Sequence, residues 1–270
     1  MGSARGSGLR RHLITLRRFW GTALAGQMEY QLNLLIELLA MAGNMAGSVF
    51  VLSLVYGQGH RLGGWSWEQA LVVLGVSTLL DGVASTLLRP NLSTLVTHVQ
   101  QGTLDFVLLK PIDSQFWIST RTVSPWGLPE IGAGLALIVW AARRAGASAE
   151  PATLTTAALM LLASVAILYS LWFLIATTTI WFVKTWNATE VLRAALAAGR
   201  YPITAYPGGL RTFFTLVLPV AFLTTVPAEA ILGRAAGSWL LLSVAVAGAG
   251  LLLCRGFWRF ALRFYTSASS

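Results

Sequence analysis

Three carboxylates stand inside or at the edge of long apolar runs of the chain: Glu37, Asp81 and Glu130, the last beside Pro129. A carboxylate near the centre of a bilayer costs about 2.5–3.5 kcal/mol even on a lenient insertion scale, so each should face protein, a cavity or a cation. Two readings stay open. The acids line a pathway, or they pair structurally with cations such as Arg89 and Arg121, since all three lie nearer one end of their runs. As acid–base groups of an intramembrane enzyme they are scattered. His12, His60 and His98 fall in separate segments, so no metal or triad site is expected. The chain shows no G-x-x-x-x-G-K-[ST] loop to cradle phosphates, no H-E-x-x-H zinc pair and no G-x-S-x-G nucleophile elbow. It is therefore not expected to be an enzyme or to hold a cofactor.

The elements that must position these acids follow from composition. Of 270 residues 56% are hydrophobic and 11% charged, less than half the charged share of roughly 25% in a soluble domain. Several apolar runs reach the roughly 20 residues a helix needs to cross about 30 Å of hydrocarbon. The fold class is all-α, a polytopic membrane protein. The net charge of +9 comes from basic residues flanking apolar runs, where anionic headgroups attract them, and no nucleic acid is expected. Cys254, the single cysteine, lies in an apolar run and reads as a packing residue.

Residues 1–28 read as an interfacial helix. Leu9, Leu13, Leu16 and Trp20 share one face, Arg11 and Arg18 lie opposite, and Arg10 and Arg17 flank it. Six spans are expected at 32–56, 67–88, 122–142, 156–183, 210–231 and 238–256. That topology places fifteen of the 19 Lys and Arg on the side of the termini and leaves Arg61, Arg143, Arg144 and Arg234 opposite. The positive-inside rule makes the termini cytoplasmic. Trp65, Trp67, Trp117, Trp126, Trp140, Trp186, Trp239 and Trp258 fall near span ends and read as an aromatic belt. Residues 184–209 read as a cytoplasmic-side amphipathic helix leading through prolines to the fifth span. The alternative is a polar span, with "RTFFTLVLPVAFLTTVPAEAILGR" as a re-entrant pair of short helices, since Pro219 and Pro227 remove backbone donors.

Between spans two and three, residues 89–121 form a loop of unusual polarity. Arg89-Pro90 ends the second span, and Leu92, Leu95, Val96 and Val99 share the face of a short helix that Gly102 can stop in the left-handed conformation. Thr103-Leu104-Asp105 starts a new helix, broken at Lys110-Pro111. The product is an elbow along the membrane face, with Gln100, Gln101, Thr103, Asp105 and Lys110 turned to the cytoplasm.

Gln101-Gly102-Thr103-Leu104-Asp105 with Leu108-Leu109-Lys110-Pro111-Ile112 resembles the "G-T-L-[DE]-x-x-L-x-x-P-[IV]" signature of type-2 ABC (ATP-binding cassette) exporter permeases. The basic N-terminal helix, the six spans, "RYPITAYPGGLR" and "LPVAFLTTVPAEAILG" are similar to the bacterial subfamily of roughly 260 residues within that group, and the likeness runs over the whole chain. The resemblance implies one permease domain over 1–270 in a bacterial inner membrane. It implies pairing with an identical or sister permease and two cytoplasmic ATPase subunits that carry the ATP and magnesium. Gln101, Gly102, Thr103, Leu104 and Asp105 would dock an ATPase subunit, with Lys110 and Pro111 fixing the elbow. Gln101 stands where many relatives carry an acid, which leaves any salt bridge there without its carboxylate. Sparse intramembrane charge suits a lipid-like or amphipathic cargo. A membrane scaffold whose loop binds a different soluble partner is the rival reading.

Overall fold

The computed structural model describes residues 31–57, 61–182 and 186–265. The expected interfacial helix, with Arg10, Arg11, Arg17 and Arg18, lies outside them. Among the described residues there are helices and turns but no strand, and five helices are long and apolar enough to cross a membrane. They are α1 (Gln31–Tyr56), α2 (Trp67–Gln100), α5 (Pro125–Arg144), α6 (Pro151–Thr177) and α10 (Gly237–Ala261), with α3 (Asp105–Leu108) and α4 (Ser114–Thr120) between α2 and α5. Three further elements follow α6: α7 (Trp186–Leu196), α8 (Gly208–Val217) and α9 (Val220–Ile231).

α2 is the axis of the bundle. In its most apolar stretch 67% of residues are buried inside the chain, against 11% in α1 and 17% in α10, whose outer faces are left for lipid or another subunit. Ser66 starts it with a capping box, its hydroxyl accepting from Gln69 N–H while the Gln69 side chain accepts from Ser66 N–H. Against α2 packs α5, and the approach is backbone to backbone. A Cβ on Gly82 would lie 2.6 Å from the Ile131 nitrogen, and one on Gly134 would lie 2.5 Å from the Leu79 nitrogen. In lipid, where apolar burial does not drive helices together, small residues of this kind permit the contact that holds them. The second close pair is α6 with α10, where Phe173 meets Trp258 edge to face and buried Cys254 donates its S–H to the Ser170 carbonyl.

The second helix does not end at Arg89-Pro90 as expected. It continues to Gln100 through a π turn at Ala84–Leu88. Pro90 has no N–H for the Thr86 carbonyl four residues back; Ser124 N–H donates to that carbonyl at 2.9 Å, and Asn91 Nδ2 donates to the Leu87 carbonyl at 2.6 Å. With both carbonyls occupied, the proline costs little and the helix passes through it.

Residues 184–209 also depart from the preferred expectation. One end of the bundle is marked by Trp65, whose Nε1 donates to Thr204 Oγ1 at 2.9 Å and whose ring lies under the Arg234 guanidinium. The other end is marked by the elbow and by Trp181, packed on Phe257, Phe260 and Phe264 of and just beyond α10. The chain leaves Trp181, forms α7 and the 3-10 turn Ala197–Arg200, and reaches Thr204 at the opposite end. Trp186 to Arg200 rises about 22 Å at 1.5 Å per residue, so this segment is a polar crossing and not a surface helix. The bent pair α8 and α9, at 69° to each other, begins beside Tyr206 and ends at Arg234, both at the Trp65 end. Its tip goes inward, where Ser164 of α6 donates its hydroxyl to the Phe222 carbonyl at 2.8 Å. The pair is re-entrant. Six crossings result, and Arg193, Arg200 and Arg211 leave the elbow side to which the sequence reading assigned them.

Three of the expected belt tryptophans serve elsewhere. Trp65, Trp117 and Trp258 are buried inside the chain, whereas Trp140 is exposed at a helix end.

Candidate functional site

The elbow is built from the end of α2. Gly102, at φ +65°, turns the chain, with Gly102 N–H donating to the Val99 carbonyl and Thr103 N–H to the His98 carbonyl. This is a Schellman closure, available at low cost only to glycine. His98 Nδ1 and Thr103 Oγ1, 2.7 Å apart, brace the same turn. Leu104 and Val107 are buried beneath the bend. Gln101 is exposed, Thr103 and Asp105 are half-buried, and Lys110 and Pro111 are exposed. The sequence pattern does not single out Phe106 and Leu109, yet these are its most prominent features, 69% and 81% exposed.

Below the bend lies Trp117 of α4, with Lys110 Nζ 5.4 Å and Arg121 Cζ 4.4 Å from its ring centre. Cations over an indole face are attracted by its quadrupole, so Trp117 ties both limbs of the loop. Asp113 caps α4 through Phe116 N–H and pairs with Arg255 of α10. Burial pushes the Asp113 carboxyl up, but the Arg255 guanidinium and the N–H groups of Phe116 and Gln115 outweigh it and hold the group below the usual carboxylate range. Trp258 Nε1 also donates to Ser114 Oγ at 3.1 Å, and Gln115 Nε2 donates to the Tyr169 hydroxyl of α6 at 3.2 Å. α4 is thereby fastened to two crossings.

Asn91 fastens the loop to a third. Its Nδ2 donates to the Leu87 and Thr122 carbonyls at 2.6 Å each, and its Oδ1 accepts from Thr122 N–H at 2.8 Å. The side chain is 1% exposed. The one signal in the sequence was a polar residue directly after a proline on an otherwise apolar face.

Asp81 and Glu130 meet around Arg89, and Glu37 does not line their cleft. Glu37 is exposed on α1. Asp81 lies between Arg89 Nη2, at 3.6 Å, and Arg200 Nη2, at 3.7 Å. Glu130 accepts from the Ser85 hydroxyl at 3.0 Å, and Arg89 Nη1 donates to the same Ser85 oxygen at 3.2 Å. Arg200 reaches across to α1, donating to Asn44 Oδ1 at 2.7 Å. Arg121 sits at Trp117 and not beside an intramembrane acid. Arg200 joins the cluster because α7 crosses the bundle, a placement that the preferred sequence reading ruled out. No group of three metal-binding side chains occurs among the described residues.

Crossing helices, a re-entrant pair and an ordered elbow define an all-α polytopic membrane protein. Residues 42–269 match the family of ABC-2 family transporter proteins; the chain belongs to that family and is a transmembrane permease subunit of an ABC transporter, a class that associates with ABC ATPase partners. Neither curated proteins nor solved structures give a match.

Proposed function

We propose that the chain is the permease of a bacterial exporter in which two cytoplasmic ATPase subunits grip the elbow and drive passage of a lipid-like or amphipathic cargo. The partner subunits carry ATP and magnesium, and this chain moves without chemistry of its own. It works as a pair with an identical or sister permease, in the inner membrane, with both termini in the cytoplasm. The excess of basic residues at the elbow end supports that orientation.

The observation that carries the reading is a rigid bend presenting bare apolar knobs. Gly102, Thr103, Leu104 and Asp105 form the turn and seat it, Gln101 and Lys110 border it, Pro111 ends it, and Phe106 and Leu109 project from it. Burying one such side chain against a partner is worth roughly 1.5–3 kcal/mol. Two of them on a fixed turn suit a groove in an ATPase subunit, because little freedom is lost on docking. Closure of the ATPase subunits then displaces the elbow by biasing two states of the permease, in proportion to the difference in contact between them.

The test is co-purification from membranes that express both subunits. Phe106→Ser with Leu109→Ser is expected to insert normally, since both side chains point away from the core, and to lose most of the ATPase subunit and its stimulated hydrolysis. Undiminished capture and hydrolysis would refute the docking assignment. Capture of a partner without nucleotide hydrolysis would favour the scaffold reading.

A further inference from the structure

Between α1, α2, α5 and α7 lies a cleft of about 260 Å³ lined by Asn44, Asp81, Arg89, Glu130, Arg193 and Arg200. Three guanidiniums meet two carboxylates there, so the lining carries one cation in excess. Among the described residues Arg193 makes no hydrogen bond or close ion pair and acts on Asp81 only from farther away. The pairs that do form are loose, with Asp81 3.6 Å from Arg89 and 3.7 Å from Arg200, against about 2.7–2.9 Å for a close charge-assisted bond. An uncompensated cation among crossing helices is costly unless it snorkels or meets an anion.

Depth and surroundings narrow the choice of anion. Asp81 lies fourteen residues into α2 from Trp67, about 21 Å at 1.5 Å per residue, which is past the middle of about 30 Å of hydrocarbon counted from that end. Its floor adjoins a small recess of mixed lining, where Met41, Met45 and Leu74 stand beside Asn44, Ser48 and Thr78. Outside it, Leu35, Ile36 and Leu39 of α1 are exposed. The volume suits a headgroup and not a whole amphiphile, and a surface for acyl chains begins where the polar lining ends.

We propose that this cleft binds the phosphate of an amphiphile whose headgroup carries a net negative charge, with Arg193 and Arg200 as its cationic contacts and the acyl chains along α1. The proposal rests on the permease reading for its meaning as a cargo or regulatory site. Arg200 is held in place by Asn44 and Ser48. Arg193 stands across the cleft and is the contact available to a ligand. Arginine suits the task because its planar fork matches phosphate oxygens in pairs.

The test uses the purified full chain in a neutral maltoside detergent, titrated with dioctanoyl phosphatidylglycerol, dioctanoyl phosphatidylcholine or inorganic phosphate and read by native mass spectrometry and tryptophan fluorescence. Phosphatidylglycerol is expected to bind saturably, one per chain, at least tenfold more tightly than phosphatidylcholine. Arg193→Gln is expected to weaken it about tenfold, and Arg193→Lys to retain most of it. Equal binding of the two lipids, or an Arg193→Gln chain that is monodisperse and binds as before, would overturn the site. Should that variant not fold, the preference between the two lipids in the unaltered chain decides. Inorganic phosphate binding as tightly as phosphatidylglycerol would overturn the lipid as its source. No ATPase subunit takes part, so failure here leaves the permease reading intact, and failure of co-purification leaves this result intact.

Discussion

Replacing Asn91 with Ala tests how the elbow is attached to the bundle. Asn91 makes three hydrogen bonds, two from Nδ2 to the Leu87 and Thr122 carbonyls and one from Thr122 N–H to Oδ1. The two bonds from Nδ2 are worth about 1 kcal/mol each net, and leaving the Thr122 N–H without its acceptor costs about 1–3 kcal/mol, so Asn91→Ala should cost about 3–5 kcal/mol. Part of that cost is local. The Leu87 carbonyl belongs to the stretch where Pro90 interrupts the ladder, and the Thr122 groups belong to the returning limb of the loop. Hydrogen–deuterium exchange in detergent micelles should show faster exchange in 114–124 first and a lower thermal midpoint overall. Asn91→Asp sharpens the reasoning: it keeps the acceptor for Thr122 N–H but turns an oxygen toward two carbonyls, so it should be at least as damaging as Ala. A loss under about 0.5 kcal/mol with unchanged exchange in 114–124 would refute the clip.

Gly82→Ala should separate α2 from α5, because the added carbon would lie 2.6 Å from the Ile131 nitrogen; a loss of about 1–3 kcal/mol is expected, read as the thermal midpoint in a fixed detergent, and an unchanged midpoint would show that the helices give way. The Asp113–Arg255 tie is sensitive to acid only. The Asp113 carboxyl is held below its ordinary value, so the stability it adds is present above about pH 4 and is lost as pH falls through the folded value. Both partners are more than a third exposed, so the gain is under about 1 kcal/mol. The difference in thermal midpoint between the chain and Asp113→Asn should therefore be small and constant from pH 8 to pH 5 and vanish on further acidification. A difference that does not shrink as the pH is lowered below about 4 would contradict the pairing.

The fold class was legible because apolar runs of crossing length have few alternatives, and Gly102 was legible because a left-handed stop after an apolar face has a local signature. What the sequence concealed was long-range. α7 and the 3-10 turn after it carry Arg193 and Arg200 on a short segment, which by composition resembles a surface helix. It crosses because Asp81, Asn44 and Ser48 receive Arg200 from other helices, and no window of sequence contains those partners. The π turn was hidden for the same reason: Pro90 reads as a stop until Ser124, far along the chain, is seen to occupy the Thr86 carbonyl. Phe106 and Leu109 belong to the short apolar run Phe106-Val107-Leu108-Leu109, in which no residue type distinguishes a buried position from a bare one. A helix of one turn buries only one narrow stripe, here Leu104 and Val107, and leaves the rest bare.

The hidden features bear on how a push at the elbow would travel. α2 carries the elbow at one end and Asp81 and Arg89 farther along, and the helix between them is unbroken. Had it ended at Arg89-Pro90, the elbow could swing on a hinge and displacement would dissipate in the loop. Instead Asn91 and Ser124 repair the proline site, and the glycine contact binds α2 to α5. Displacement of the elbow therefore moves the walls of the charge cluster with it. The compliant point that remains is the π turn at Ala84–Leu88, whose wider ring lies between Asp81 and Arg89. A change there alters the spacing of the two charges, and with it the fit of the cleft, without disturbing the packing on either side.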